Sequence, residues 1–338
     1  MYNTSDSVPR ADISTVLMEA VAQEKLYIGQ LIFPVYPSSR EVGRYPKFRI
    51  GASELLKGGV NYGSTLRNET GTYNELSRKF EWDSYQTLEY GLEERVDDVV
   101  ARRMESFFDA EVVTGKFLMN SLMIDYEIET EQKTFNTTAF TTTHATTMWN
   151  NTNITTFDVP QDMNAAIERM TYLGEVPTSV VLSLQLWNLI RRSQKLQTYV
   201  YGYLNVNQGG SQITEQMFAN VFGLQEVLIA KKSYDTTIKG GLTPTSTAAQ
   251  IAAAVQPVWP SDFCALVRRA EGDFMNGGVG RTVIWDADAP GGLFTSESYR
   301  DEKRRGNMLR VRSNRTTKIV SPNCVQLIDT GFSGAFKT

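Results

Sequence analysis

Apolar and polar positions alternate along residues 78–90, where Phe80, Trp82, Leu88 and Tyr90 fall on one face and Lys79, Glu81, Asp83 and Glu89 on the other. That period of two predicts a half-buried strand. A second strand-like run covers residues 44–50. The glycine-rich stretch between the runs, with Gly51, Gly58, Gly59, Gly63 and Gly71, carries no apolar stripe. Thirteen residues at about 3.3 Å each make a two-stranded arm of roughly 43 Å. A ribbon of two strands is marginal alone in water, so its apolar face needs a partner outside itself, and the simplest partner is another copy of the chain.

Elsewhere the pattern is helical or mixed. After about ten residues without a pattern, Ile13, Val16, Leu17, Ala20 and Val21 recur at helical spacing and predict a short amphipathic helix over 12–27. Pro34 and Pro37 then hold the chain extended. Beyond Gly91, the positions Leu92, Val96, Val99, Val100, Met104, Phe107, Phe108, Phe117, Leu118 and Leu122 predict a spine helix over 92–125, kinked at Thr114 and Gly115. At 1.5 Å per residue such a helix is a rod of about 45 Å. Residues 134–156, rich in threonine and asparagine, read as an exposed loop or edge strands.

From residue 157 to 285 the texture is α/β. Asp158 with Gln161 forms a helix start, and Met163, Ile167 and Met170 share one face of a helix that stops at Gly174. A strand is expected at 179–183, helices at 184–193 and 214–222, and a stop at Gly223. The runs 227–230, 263–267 and 282–285 are almost continuously apolar, as strands covered on both faces are. Residues 242–256, rich in threonine and alanine, read as an insertion. The last strands, divided by Gly306-Asn307, Asn314-Arg315 and Pro322-Asn323, are expected to form a sheet that packs back on the spine.

With 338 residues, the chain is long enough for one complex domain or two simple ones. No run of about eighteen apolar residues is present to span a membrane. The opening MYNTSDSVPRAD lacks the basic region and apolar core of a secretory signal. Cys264 and Cys324 have neither a disulfide framework nor metal-ligand spacing around them and read as buried free thiols. A net charge of −4 argues against general affinity for nucleic acid or anionic lipid. The charge is nevertheless segregated: residues 69–131 hold sixteen acids against six bases, and residues 299–318 hold eight bases against two acids. Opposite blocks of this kind suit pairing between copies, so Arg300, Arg304, Arg305, Arg310 and Arg312 are expected to meet carboxylates on neighbouring subunits. With Tyr299 as the one nearby stacking aromatic, nucleic acid is the weaker expectation for them.

The inventory for catalysis is thin, and no catalytic, cofactor-binding or metal set emerges. His144 is the single histidine, which excludes sites needing two imidazoles, and it reads as a loop residue. The glycine cluster NGGVGRTV at 276–283 lacks phosphate-loop spacing and runs into a strand, so it reads as a tight turn. Glu93, Glu94, Asp97 and Asp98 are expected at the positive end of the spine-helix dipole. Asn136 and Asn153 stand in glycosylation-type triplets but follow no secretory signal. The rival from another class is a monomeric α/β hydrolytic enzyme using Asp286 and Asp288.

Taken in order, the N-terminal arm, the glycine-tipped hairpin, the passage GTYNELSRKFEWDSYQTLEYGLEERVDD leading into a spine helix, the compact α/β part and the closing strands resemble the major capsid proteins of tailed bacteriophages. These share the α+β Johnson (Hong Kong 97-type) fold with encapsulin compartments. The resemblance implies an N-terminal arm over 1–43, an extended E-loop over 44–90, a P-domain with its spine helix over 91–156, an A-domain over 157–289 and returning P-domain strands over 290–338. It further implies a non-enzymatic protein that forms pentamers and hexamers of an icosahedral head, found in the virion and in the host cytoplasm during assembly. Packaged double-stranded DNA would be non-specific cargo, with a portal, a possible decoration protein and no membrane among the partners. About forty residues precede the arm, so the expectation is a separate scaffolding protein or assembly without one. Lys57 lies near the expected loop tip, but no asparagine and glutamate match it as a cross-linking set, and it reads as solvated. An encapsulin-like shell that stores an enzyme is the nearest alternative.

Overall fold

The computed structural model describes residues 8–9, 27–47, 71, 81–104, 109–204, 213–237, 242–243, 245–270, 277–288 and 292–337. The expected helix over 12–27, the glycine-rich loop with Lys57, and the run Arg78 to Phe80 lie outside these residues, apart from Tyr27 and Gly71. The N-terminal third supplies β1 (Val8–Pro9), α1 (Gly29–Ile32), β2 (Val35–Ser38), β3 (Val42–Lys47), β4 (Glu81–Gln86), β5 (Leu88–Asp97), α2 (Asp98–Met104), α3 (Ala110–Thr134) and β6 (Thr141–His144). The middle supplies α4 (Val159–Tyr172), β7 (Ser179–Ser183), α5 (Leu184–Ile190), α6 (Gln194–Leu204), α7 (Glu215–Phe222), β8 (Glu226–Ala230), β9 (Ser233–Asp235), α8 (Ala248–Ala254), β10 (Val255–Pro257) and β11 (Phe263–Val267). The last part adds β12 (Gly280–Trp285), β13 (Thr295–Asp301), β14 (Gly306–Ile319) and β15 (Val325–Asp329).

Two sheets organise these elements. One has six strands: β1, β13, β14, β12 and β2 in order, with β5 also paired to β14. The other has five, in the order β6, β15, β11, β7, β8. The five-stranded sheet shows why its strands read as unbroken apolar runs. Val180, Leu182, Cys264, Leu266, Val227 and Ile229 point into a core with α4 through α7. Their alternating neighbours Val181, Ala265, Val267, Leu228 and Leu327 point into a second core with α1 and Trp259. A strand buried on both faces has no polar side to alternate with.

Helix α3 lies against the six-stranded sheet. Leu118, Leu122 and Tyr126 meet Ile284, Leu309 and Val311, as expected of strands that pack back on a spine. The helix differs from expectation at its start. The Asp109 side chain caps it by accepting from the Glu111 and Val112 N–H groups, and residues 88–97 are not helix but β5. Leu92 and Val96 are four apart, a spacing that suits both periods, and ten consecutive pairings with β14 decide for strand. Thr114 and Gly115 lie in the second turn of α3. At the other end of the chain, β14 runs unbroken through Asn314-Arg315, where a turn was expected. Arg315 there pairs with Leu88 on one side and Ile284 on the other, so partners on both edges override the local turn propensity.

Local signals decide the other ends. Asp158 accepts from the Gln161 N–H at 3.1 Å to start α4, which gives way to Gly174 at φ 82. Thr214 accepts from Met217 N–H at 3.3 Å to start α7, and Gly223 at φ 68 ends it. The stretch read as an insertion contains α8, opened by a capping box between Thr247 and Gln250.

Candidate functional site

The ribbon of β3 and β4 has one anchored face and one open face. Its antiparallel register sets Gly43 opposite Tyr85, Tyr45 opposite Asp83 and Pro46 opposite Trp82. On the inner face the Tyr45 ring is buried, and its hydroxyl lies 3.1 Å from Asp83 Oδ2 and 3.2 Å from the Ile319 carbonyl of β14. Lys47 Nζ sits 2.6 Å from the same Asp83 oxygen. The Lys47 hydrogen bond, helped by the Ser84 N–H, holds the Asp83 carboxyl down at about 2. Burial, reinforced by Asp83, pushes the Tyr45 phenol up. Tyr85 closes the base with a 2.6 Å hydrogen bond between its hydroxyl and Ser38 Oγ.

On the outer face Val42 is 57% exposed and Trp82 63% exposed. That face of the two-stranded ribbon therefore presents apolar surface to water. The single strand expected over 78–90 is divided, however. At Thr87, whose N–H donates to the Glu41 carbonyl at 3.1 Å, the chain leaves the ribbon, and residues 88–90 join β14 instead. Leu88 and Leu92 stay exposed there, while Tyr90 turns onto the Arg315 guanidinium, 4.3 Å from ring to cation.

A second exposed apolar strip runs over α2 and α3 through Val99, Val100, Val113 and Phe117, the last 65% exposed. Among the described residues nothing covers it. Helix α3 is therefore apolar on more than its core side.

The segregated charges meet within the chain. The register sets Arg310 opposite Glu93, and Nη2 reaches Oε2 at 2.9 Å. Arg300 grips Asp98 through two bonds of 2.6 and 2.7 Å and holds that carboxyl below its ordinary range. Arg312 pairs with Glu297 at 2.8 Å and Asp288 at 2.5 Å, and Arg304 lies 3.8 Å from Asp301. The expectation that these arginines await a neighbour's carboxylates is thus corrected for Arg300, Arg304, Arg310 and Arg312: the strand pairing delivers acids of the same chain first. Arg305 sits in the β13–β14 turn at φ 48, where its carbonyl accepts from the Asp98 N–H. Glu93, Glu94 and Asp97 belong to β5 and not to a helix start; Asp98 alone opens α2.

Residues considered for chemistry are dispersed. Asp288 is held by Arg312 and by the Asn314 amide at 3.1 Å, and the Asp286 N–H donates to the Ser38 carbonyl. His144 ends edge strand β6, with Nδ1 3.4 Å from the buried Asp329 and its ring 4.6 Å from that of Phe336, so it is part of a sheet rather than a loop. Gly277 and Gly278 turn at φ 70 and 96 into β12, and Asn276 lies outside the described residues. Asn136 and Asn153 hydrogen-bond within their own turns. Cys264 and Cys324 are free and buried, and burial pushes the Cys324 thiol up to about 11. A polar hollow between the end of α3 and β14 is lined by Tyr90, Glu129, Lys133 and Lys318, and neither His144 nor Asp286 nor Asp288 lines it. Among the described residues no cluster of three or more potential metal ligands occurs, and no helix is long and apolar enough to cross a membrane.

Two groups escaped the sequence reading. Arg315 is fully buried, bonded to Asp125 at 2.8 Å and Glu129 at 3.3 Å between the rings of Tyr90 and Tyr126. Glu127 is buried against Gly29 and Trp259. Both lie in strongly polar stretches of sequence, and only the folded neighbours reveal them.

No protein-family model matches the sequence, and no curated protein sequence matches it either. Solved structures do match in three dimensions. A phage-related protein from Bordetella bronchiseptica RB50 is similar over 97% of this chain and 99% of its own, at 18% identity and a TM-score of 0.67. The capsid of cyanophage P-SCSP1u is similar over 97% of this chain and 90% of its own, at 9% identity and a TM-score of 0.54. The mature capsid of bacteriophage PhiM1 is similar over 90% of this chain and 86% of its own, at 12% identity and a TM-score of 0.52. The likeness in each case is one of fold, and it runs nearly end to end.

Proposed function

We propose that this chain, whose α+β Johnson (Hong Kong 97-type) fold is that of phage capsid proteins, is a major capsid protein that assembles into pentamers and hexamers of an icosahedral head enclosing double-stranded DNA. The observation that carries this reading is the ribbon whose inner face is locked by Tyr45 while its outer face leaves Trp82 63% exposed. In this reading β3 and β4 are the base of the E-loop, α3 with the six-stranded sheet is the P-domain, and the five-stranded sheet with its helices is the A-domain. The outer face of each ribbon lies on an adjacent subunit and covers its own tryptophan in doing so. Many modest contacts of this kind in a closed shell add up to a stable particle. The protein acts mechanically, without a catalytic step. DNA is held as non-specific cargo, consistent with the net charge of −4; a scaffolding protein and a portal complete assembly.

Electron microscopy of the overexpressed, purified protein tests this directly, with closed particles expected. Deletion of residues 51–77 is expected to leave a folded subunit that no longer closes shells. Normal particles from that deletion, or a monomer near 38.0 kDa under all conditions, would overturn the reading. Particles that hold an enzyme and no nucleic acid would favour the compartment alternative.

A further inference from the structure

Glu127 stands where three parts of the chain meet. It is 1% exposed on α3. Its Oε1 accepts from the Gly29 N–H of α1 at 2.6 Å, and its Oε2 accepts from Trp259 Nε1 at 2.7 Å. The approach of α1 is close enough to demand glycine. A Cβ on residue 29 would lie 2.5 Å from Thr130 Oγ1 and 3.1 Å from Glu127 Oε1. Trp259 is itself buried, edge-on to Phe135 at 5.3 Å. The junction is thus built around one carboxyl group: α1 on one oxygen, the chain ahead of β11 on the other.

The charges around it do not neutralise it. Among the described residues no cation pairs with Glu127. On α3 itself stand Glu131, one turn on, and Tyr126, whose hydroxyl bonds to Thr282 at 2.7 Å. From the chain entering α1 comes Tyr27, whose hydroxyl donates to Asn120 and whose ring lies 5.1 Å from the Lys232 ammonium beyond β8. From the end of β11 comes Arg269, which bonds the Leu31 carbonyl at 3.0 Å and is matched by Glu226. Burial is the dominant influence on the Glu127 carboxyl. It outweighs the Gly29, Trp259 and Ile28 donors and lifts the group from 4.5 to about 7.

We propose that Glu127 is a proton-linked latch: neutral, it keeps α1 and Trp259 seated on the spine helix, and ionised, it loosens that junction. A buried charge without a cation costs more than the N–H donors return, whereas the neutral acid avoids the charge. The seated form binds the proton more tightly than the released form. Docking is therefore strongest in acid and weakens as the pH rises from about 4.5 through about 7. The inference concerns the subunit alone and stands whether or not the subunit assembles.

The test is amide exchange at Gly29 together with Trp259 fluorescence, followed from pH 5 to pH 8 on the full chain. Protection of the Gly29 amide, corrected for intrinsic exchange, should fall on the order of a hundredfold across that range. Glu127→Gln should flatten the profile. Burial also lifts the Glu131 carboxyl to about 7, so Glu131→Gln, which leaves Gly29 and Trp259 untouched, should keep the profile in place, and a profile that it flattens overturns the latch. Trp259→Phe keeps an aromatic side chain but removes a donor to the ionised oxygen, so the midpoint, read here from Gly29 exchange alone, should move upward. A flat profile in the unmodified protein overturns the latch, as does a profile that Glu127→Gln leaves unchanged. If Glu127→Gln does not fold, Trp259→Phe decides, and an unmoved midpoint overturns the latch.

Discussion

Gly43 and Tyr85 face each other across the ribbon so closely that a Cβ on residue 43 would fall 2.5 Å from the Tyr85 hydroxyl. The glycine is there to give the ring a place to lie, and the ring in turn reaches Ser38. Replacing Gly43 with valine should expel Tyr85, break its hydrogen bond to Ser38 and cost about 1–3 kcal/mol, the range for overpacking. Chemical denaturation of the unassembled subunit measures it. Gly43→Val in a Tyr85→Ala background should cost less than in the native one, because the obstructing ring is gone.

Trp82 should behave in the opposite way. With its side chain mostly in water, Trp82→Ala should change subunit stability by no more than about 0.5 kcal/mol while abolishing or severely weakening particle formation. Thermal melts and light scattering on the same sample separate the two effects. An equal loss in both would show that the tryptophan serves the fold and not the contact.

Arg315 is the interior charge on which β14, β5 and α3 converge. Arg315→Ala removes the cation from Asp125 and Glu129 and leaves a void between two tyrosine rings. Asp125 is 56% exposed and can be solvated, so the cost should sit near the low end for a broken buried pair, about 3 kcal/mol. Arg315→Lys should recover less than half of it, since an ammonium neither bridges two carboxylates as a fork nor stacks flat on Tyr90. Urea titrations of the three proteins would check both statements.

Asp162 ties the threonine-rich stretch to α4. Its carboxylate accepts from the Thr146 N–H at 3.0 Å, the Thr146 hydroxyl at 2.6 Å and Trp149 Nε1 at 2.9 Å. Asp162→Ala leaves those donors without their acceptor and should cost about 2–3 kcal/mol. Faster proteolysis between β6 and α4 should accompany the loss, and cleavage kinetics would reveal it.

How much of this was legible from the sequence depends on what each signal encodes. Strand β7 and the caps at Asp158, Thr214 and Gly223 could be read in place because short-range chemistry decides them. The alternation of Trp82 with Asp83 also gave the two ribbon faces correctly. The start of the spine helix could not be read, because Leu92 and Val96 fit either period and the deciding partner, β14, lies more than two hundred residues away. Distance likewise hid the destination of the arginines. Composition shows that opposite charges exist in blocks, but only register says that Arg310 meets Glu93 of its own chain. Glu127 and Arg315 left no mark at all, since which charged residue of a polar stretch becomes buried is a property of the folded surroundings.

The pairing of β5 with β14 also sets an order in time. Residues 88–97 are synthesised more than two hundred residues before the strand that holds them, residues 306–315. Until then the ribbon has Ser38 under Tyr85 but lacks its other anchor, because Tyr45 docks on Ile319 of that later strand. Contacts of such long sequence separation form slowly. A polypeptide that stops short of residue 306 therefore cannot aim its ribbon, however well the rest of it has folded.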